Sequence, residues 1–324
     1  MHSLRTEASG ACKQQRHKVH GKVHGAIALA ALALVASCSS GQGPTPARAA
    51  GQAVHRAVTS NYVYVADIGL SELLVYPAGV NNPAPIASVS VVDPHGVATD
   101  PSGNVYVALA KPQQIKVYSS GATSLKYTIN SAIRPQAVIV DSAGNVYAAY
   151  GAGNTVTEYA PGGSTVKQVF NTGSGVRFQP LGGLAIDNGG NLYVDIDDGS
   201  VEECSRVTSA CTPLPSNVAG PGPTFGGIAF VSNLLAVAGQ NGLINYFNEF
   251  LGWQNGPQNQ QYYGPGGDSR FMTSDSNGTL YIPYAETGLA SSPPPAVVAV
   301  PSSGGTHDTI TQGLQRPFGA AAGP

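Results

Sequence analysis

Side chains able to do chemistry are few and scattered in this chain. His95 stands in Asp-Pro-His-Gly. An imidazole with a pKa near 6.5 can serve as a general acid/base or ligand contact. The other reading, and the preferred one, is a turn residue bonded to neighbouring backbone. Asp67 and Glu286 close strand-like segments and complete a candidate acid–base set with His95. Asp195, Asp197 and Asp198, followed by Glu202 and Glu203, fall within nine residues. Dense oxygen ligands of this kind could hold Ca²⁺. Their spacing lacks the third spaced Asp before a Gly and the Glu twelve positions on. Alternation along a strand also sends such side chains to opposite faces, so an acidic hairpin is the preferred reading and no cofactor is expected. Gly-x-Ser-x-Gly, His-Glu-x-x-His and P-loop motifs do not occur in the sequence.

At the start of the chain, residues 1–25 carry Arg5, Lys13, Arg16, Lys18 and Lys22 against the single acid Glu7. The uncharged run GAIALAALALVAS follows at 25–37 and ends at Cys38. A basic segment before an apolar stretch of about a dozen residues is the pattern of a secretory signal, too short to span a bilayer. Leu34-Val35-Ala36-Ser37-Cys38 resembles the bacterial lipobox, which implies cleavage before Cys38 and a lipid on its thiol. Expected are a signal peptide over 1–37, a small-residue tether over 38–60 and a folded domain over 61–324. The product is expected to be exported and anchored to a bacterial membrane through Cys38.

Two more cysteines, Cys204 and Cys211, have six residues between them. In an exported protein this spacing predicts a small disulfide loop stapling a hairpin.

The chain has 324 residues, of which 10% are charged. A usual figure is about 25%. From Cys38 onward, 11 Lys and Arg face 17 Asp and Glu, a net charge of −6. Nucleic-acid binding through a basic surface is excluded on that balance. With 42% hydrophobic residues, disorder by charge is excluded too.

The elements that must position the candidates are repeated. Strand-like segments begin at 61 (NYVYVAD), 104 (NVYVALA), 145 (NVYAAYG), 191 (NLYVDID), 233 (NLLAVAG) and 279 (TLYIPYA), spaced 41–46 residues apart. Before all but the first lies a second signature, such as PHGVATDPSG at 94 or PQAVIVDSAG at 135. The turn residues Asp100, Asp141, Asp187 and Asp275 recur with Gly two or three positions on. The Asp side chain bonds turn amides and Gly supplies the positive φ, so these are tight hairpin links. Four short strands per unit, repeated six times, bury a common core only when arranged radially. The sequence therefore predicts an all-β, six-bladed β-propeller. The domain starts on a second strand and ends on a first one, PFGAAAGP at 317. That phase predicts pairing of 317–323 with the first repeat, which covers exposed edges.

The units PHGVATDPSGNVYVA and PQAVIVDSAGNVYAAY resemble NHL-type repeats. Over 61–324 the chain resembles the six-bladed superfamily that includes the SMP-30/gluconolactonase-like proteins. The resemblance implies that loops opposite the Asp turns form the ligand face. Five residues before the turn Asp come His95, Gln136, Gly182 or Leu181, and Arg270, with Phe225 and Phe318 in matching places. Second-strand ends add Lys111 and Tyr150. Arg134, Arg177 and Arg316 also precede inner strands. Trp253, Phe247, Phe250, Tyr262 and Tyr263 sit among Asn and Gln amides, a composition used for sugar or peptide binding, or else for covering a blade.

The expectation is a monomeric binding module at the cell envelope, taking a protein, peptide or glycan. Catalysis needs perturbed acids and bases in a cleft, and these are sparse here. The alternative is a metal-dependent lactonase or a lyase of the same superfamily.

Overall fold

Runs of alternating or continuous Val, Tyr, Ala and Leu, cut every four to seven residues by Gly, Pro, Asp or Asn, can only be short strands. The computed structural model describes residues 61–150, 155–172, 183–196, 200–218, 227–239, 243–253, 260–262, 268–285, 294–302 and 307–324. The signal, Cys38 and the tether lie outside the described residues. So do Glu286, Phe225, Asp197, Asp198, Arg177, Leu181, Gly182 and Tyr263.

The first strands are β1 (Tyr62–Asp67), β2 (Glu72–Pro77) and β3 (Ala87–Ser90). Next come β4 (Pro94–Thr99), β5 (Val105–Leu109), β6 (Gln114–Tyr118) and β7 (Leu125–Asn130). The third set is β8 (Pro135–Val140), β9 (Val146–Tyr150), β10 (Thr155–Tyr159) and β11 (Val166–Thr172). The fourth is β12 (Leu184–Ile186), β13 (Leu192–Asp195), β14 (Val201–Cys204) and β15 (Ala210–Pro213). Then follow β16 (Ile228–Val231), β17 (Leu234–Ala238), β18 (Leu243–Asn248) and β19 (Gln260–Tyr262). The last are β20 (Asp268–Ser269), β21 (Thr273–Ser274), β22 (Leu280–Ala285), β23 (Ala296–Val300), β24 (Asp308–Ile310) and β25 (Pro317–Gly323).

Sequential strands pair antiparallel within the first five sets; in the last, β20 and β21 both pair with β22, β22 pairs with β23 and β23 with β24. The third and fourth sets join into one eight-stranded sheet through a short parallel seam, Asn171 and Thr172 of β11 against Ala210 and Cys211 of β15. Arg206, on the hairpin between β14 and β15, reaches across this seam. Its guanidinium lies 2.9 Å from the buried Glu158 carboxylate, which Lys167 also meets at 2.8 Å.

The expected closure is present. β25 pairs with β1 from Tyr62↔Gly323 to Ala66↔Gly319, so the final strand is the inner edge of the first sheet. Around the centre, β25 contacts β4, β4 contacts β8, β8 contacts β12, β12 contacts β16, β16 contacts β21, and β21 returns to β25. Most apolar clusters lie between one set and the next, and one, between the third and fourth sets, also takes in Phe271, Ala285 and Phe318. Tyr64, Leu73 and Val75 pack with Val97, Val105 and Leu109, and Val63, Leu74 and Tyr76 with Tyr281, Val297 and Ile310.

Small residues let the inner strands meet backbone to backbone. A Cβ on Gly319 would lie 2.5 Å from the His95 carbonyl oxygen, and one on Gly96 2.7 Å from that of Gln136. Gly319 has no unusual φ, so space alone excludes a side chain there. Gly319→Ala is expected to cost about 2 kcal/mol by overpacking a strand pinned on both sides. Gly163→Ala, with nothing within 4 Å of its Cβ, is the control expected to be near neutral. Urea denaturation of both checks the difference.

The hairpin turns repeat one network. Asp100 Oδ1 accepts from the Ser102 and Asn104 amides at 2.9 Å each. Its Oδ2 accepts from Asn104 Nδ2 at 2.6 Å and from Tyr106 Oη at 3.0 Å. Asp141 repeats this with Asn145 and Tyr147, Asp187 with Asn191 and Tyr193. Asp275 caps Thr279 and accepts from Tyr281. Burial, before any neighbouring charge, pushes the phenols of Tyr106, Tyr147 and Tyr281 up, so each remains a donor.

Cys204 and Cys211 form the expected disulfide, directly opposite each other on β14 and β15. Both are buried. Closing so short a loop is worth about 2 kcal/mol in the chain-entropy treatment. The paired Cys204→Ser, Cys211→Ser variant should lose about that much in chemical denaturation. Treating the wild type with reductant should reproduce the loss.

Candidate functional site

The Pro-His-Gly and Pro-Gln-Ala segments open β4 and β8, and Pro-Phe-Gly opens β25. Proline needs no amide partner at a strand's first residue, so it suits these entries. The next side chain in each case is His95, Gln136 or Phe318, and each is 5% exposed.

His95 meets the Phe318 ring edge-on at 5.3 Å between centroids, and Phe271 at 6.4 Å. Phe271 lies two residues before β21, and β25 lies between β21 and β4. A contact that skips a strand requires both rings to point toward the axis. His95, Phe271 and Phe318 therefore converge at one end of the central channel. The Arg270 and Arg316 guanidinium carbons lie 4.8 and 5.2 Å from the Phe318 centroid, a cation–π arrangement.

Among the described residues, neither ring nitrogen of His95 has a hydrogen-bond partner, and neither does Gln136 Oε1. His95 Nε2 lies 3.4 Å from Asp93 Oδ1, near enough to feel its charge but not aligned for a hydrogen bond. Burial pushes the imidazole pKa down to about 4, against the opposing pull of Asp93 and with help from Arg134 and Arg270. The ring is neutral at ordinary pH. Asp93 and Phe271 both hold positive φ, 53° and 32°. Non-glycine residues in that region are strained, and such strain gathers at ligand sites.

Asp67, an acid–base candidate from the sequence, is fully buried, and its carboxylate is occupied by the chain itself. Oδ1 accepts from the Leu70 amide at 3.1 Å and the Arg316 amide at 2.9 Å, and Oδ2 from the Gln315 amide at 2.8 Å. It clamps the entry to β25 and so sets Arg316 and Phe318. Tyr150 lies in the core, sharing a 2.6 Å hydrogen bond with Tyr159. Lys111 is exposed. Asp195 is buried at the end of β13. Among the described residues, no group of three or more His, Cys, Asp or Glu is placed to hold a metal. Trp253 is buried and meets the Tyr193 ring at 5.9 Å, while Phe250 is largely exposed. Trp253 therefore covers a sheet, one of the two roles its segment could play.

At the opposite end of the channel, a cavity of about 1000 Å³ is lined by residues in and beside the far ends of the inner strands, among them Thr99, Ile139, Phe230, Met272 and Ser274. It opens on the Asp-turn side.

Repeat spacing alone does not single out Phe271 or Asp93. Arg-Phe-Met at 270 against Pro-Phe-Gly at 317 was the available sign for Phe271. Asp93 had only its place before Pro94.

No family model matches the chain, and no curated protein sequence matches it. Solved structures do. A protein of unknown function from Bacteroides caccae aligns with TM-score 0.64 and 16% identity, over 82% of this chain and 99% of that one. A chain of a nidogen/laminin complex aligns with TM-score 0.60 and 16% identity, over 81% and 98%. Streptogramin B lyase aligns with TM-score 0.51 and 13% identity, over 70% and 72%. Identities this low speak for the fold alone. With the closed circuit of inner strands, they define the class as a β-propeller.

Proposed function

We propose that the chain is a six-bladed, NHL-like propeller over 61–324, made with a signal peptide over 1–37 and a tether over 38–60. It acts as a monomeric, non-catalytic binding module, exported and anchored to the membrane by lipid on Cys38. It takes a protein, peptide or glycan at the channel end that carries His95, Gln136, Arg270 and Phe318, and it needs no cofactor. The observation that carries this reading is a division of labour. Asp67, Asp100, Asp141, Asp187 and Asp275 all spend their carboxylates on backbone amides or neighbouring side chains. His95 and Gln136, by contrast, hold buried hydrogen-bonding atoms that none of the described residues uses. A neutral, buried imidazole whose neighbouring carboxylate, Asp93, is not aligned for a hydrogen bond is suited to recognition more than to proton transfer. The disulfide supports an oxidising compartment.

The test is a glycan and peptide array probed with the full-length, detergent-extracted protein, followed by diffusion of Ca²⁺, Zn²⁺ or Mn²⁺ into crystals. Binding without turnover is expected. A metal in the channel held by three or more side-chain oxygens at about 2.0–2.6 Å would overturn the reading in favour of a lactonase or lyase. Incorporation of labelled palmitate, lost in Cys38→Ser, tests the anchor.

A further inference from the structure

The same channel end constrains the chemistry of its ligand, on the reading of that end as a binding site. His95 and Gln136 occupy equivalent positions on neighbouring strands, whose backbones touch at Gly96. Among the described residues, none hydrogen-bonds the two His95 ring nitrogens or Gln136 Oε1, all buried, although Nε2 faces Asp93 Oδ1 at 3.4 Å. Buried polar atoms are nearly always paired, so unpaired ones on adjacent strands mark a place where something else supplies the bonds. Gln136 Oε1 can only accept. A neutral imidazole donates from one nitrogen and accepts at the other. With the Asp93 carboxylate nearest Nε2, that nitrogen carries the ring proton, and the missing partner must donate at least twice, to Nδ1 and to Gln136 Oε1, which neighbouring hydroxyl groups do.

The surroundings narrow it further. Phe318 and Phe271 make the surroundings of His95 apolar on one side, compatible with the C–H groups of a sugar. The charges acting at this end are Arg134, Arg270 and Arg316 against Asp93. That balance disfavours an ammonium group and favours a carboxylate. We propose that this end of the channel is a subsite for a hydroxylated carboxylate, of the kind presented by a uronic acid residue of an acidic glycan.

The test is calorimetric titration of the full-length protein in detergent with glucuronic acid, glucose and glucosamine. Glucuronic acid should bind about tenfold more tightly than glucose, with glucosamine weakest. Its advantage should shrink at about 0.5 M salt. Gln136→Leu and His95→Phe should each lose about tenfold in affinity, with Tm unchanged or raised, because each removes an unpaired buried polar group. Arg270→Gln should bring glucuronic acid and glucose together. Equal affinity for the three sugars, or wild-type binding by Gln136→Leu, overturns the subsite. If glucuronic acid fails while another array ligand binds and is lost in Gln136→Leu, the subsite assignment falls and the binding reading stands. Turnover of any bound ligand overturns the binding reading itself.

Discussion

Asp67→Ala is expected to lower the unfolding free energy by about 3–5 kcal/mol, a large share of what holds an ordinary domain folded. The reason is the company the carboxylate keeps. It accepts from the amides of Leu70, Gln315 and Arg316 and is itself fully buried. Alanine leaves those donors unpaired where water enters poorly. The damage falls on the junction between β1 and β25, the contact that closes the circuit. Amide exchange should therefore quicken first along 62–67 and 317–323, before the rest of the domain. Arg316 and Phe318 follow directly on the clamp, so binding at the His95 end should weaken as well. A variant that unfolds with unchanged midpoint and retains exchange protection at β25 would show that the clamp is dispensable. Asp67→Asn is the milder probe. It keeps the shape but points an amide donor at other donors, so a smaller loss in the same direction is expected.

The second large effect is a pH dependence. The His95 imidazole is pushed down to about 4 in the folded domain from an ordinary 6.5. Between those values the unfolded chain binds a proton that the folded chain refuses. Stability must then fall as pH drops from about 6.5 to about 4 and level off below, while above 6.5 the contribution is complete. A shift of this size corresponds to about 3 kcal/mol. Asp93 works against it and Arg134 and Arg270 work with it, but burial dominates. Urea denaturation at pH 7 and pH 4.5 should show a loss in the wild type that is much smaller in His95→Phe. The carboxylates are common to both proteins, so the difference between them isolates the imidazole. Equal losses would mean that His95 is protonated, or reaches water, in the folded state.

Much of the architecture was legible because each unit must solve the same local problem. Asp100 and Asp141, with glycine three positions on and Asn next, announce tight turns from their side-chain chemistry alone. The phase of the chain, entering on a second strand and leaving on a first, announced the β1–β25 pairing. Cys204 and Cys211 announced their bond because a short spacing in a hairpin leaves few other options. Tyr106, Tyr147, Tyr193 and Tyr281, six residues after each turn Asp, were equally visible, but their hydroxyls' role needed the hairpin's geometry.

The site was harder to read. The sequence placed His95, Gln136, Arg270 and Phe318 in equivalent positions, yet it treated Asp67 as a candidate acid and Tyr150 as part of a face. One is a backbone clamp and the other a core residue bonded to Tyr159. Strand period tells which side of a sheet a residue takes, but in a radial stack both sides are buried, so period cannot separate core from channel. By itself, the sequence determined the repeated strands, the turns, the disulfide and the closing of the circuit, all of which follow from local spacing. Only the tertiary structure decided that Phe271 meets His95 across an intervening strand, that the Asp67 carboxylate is consumed by amides some 250 residues away, and that no described residue bonds the buried polar atoms of His95 and Gln136 Oε1. Those facts depend on which side chains meet around the axis, and that is fixed by how the sheets close on one another.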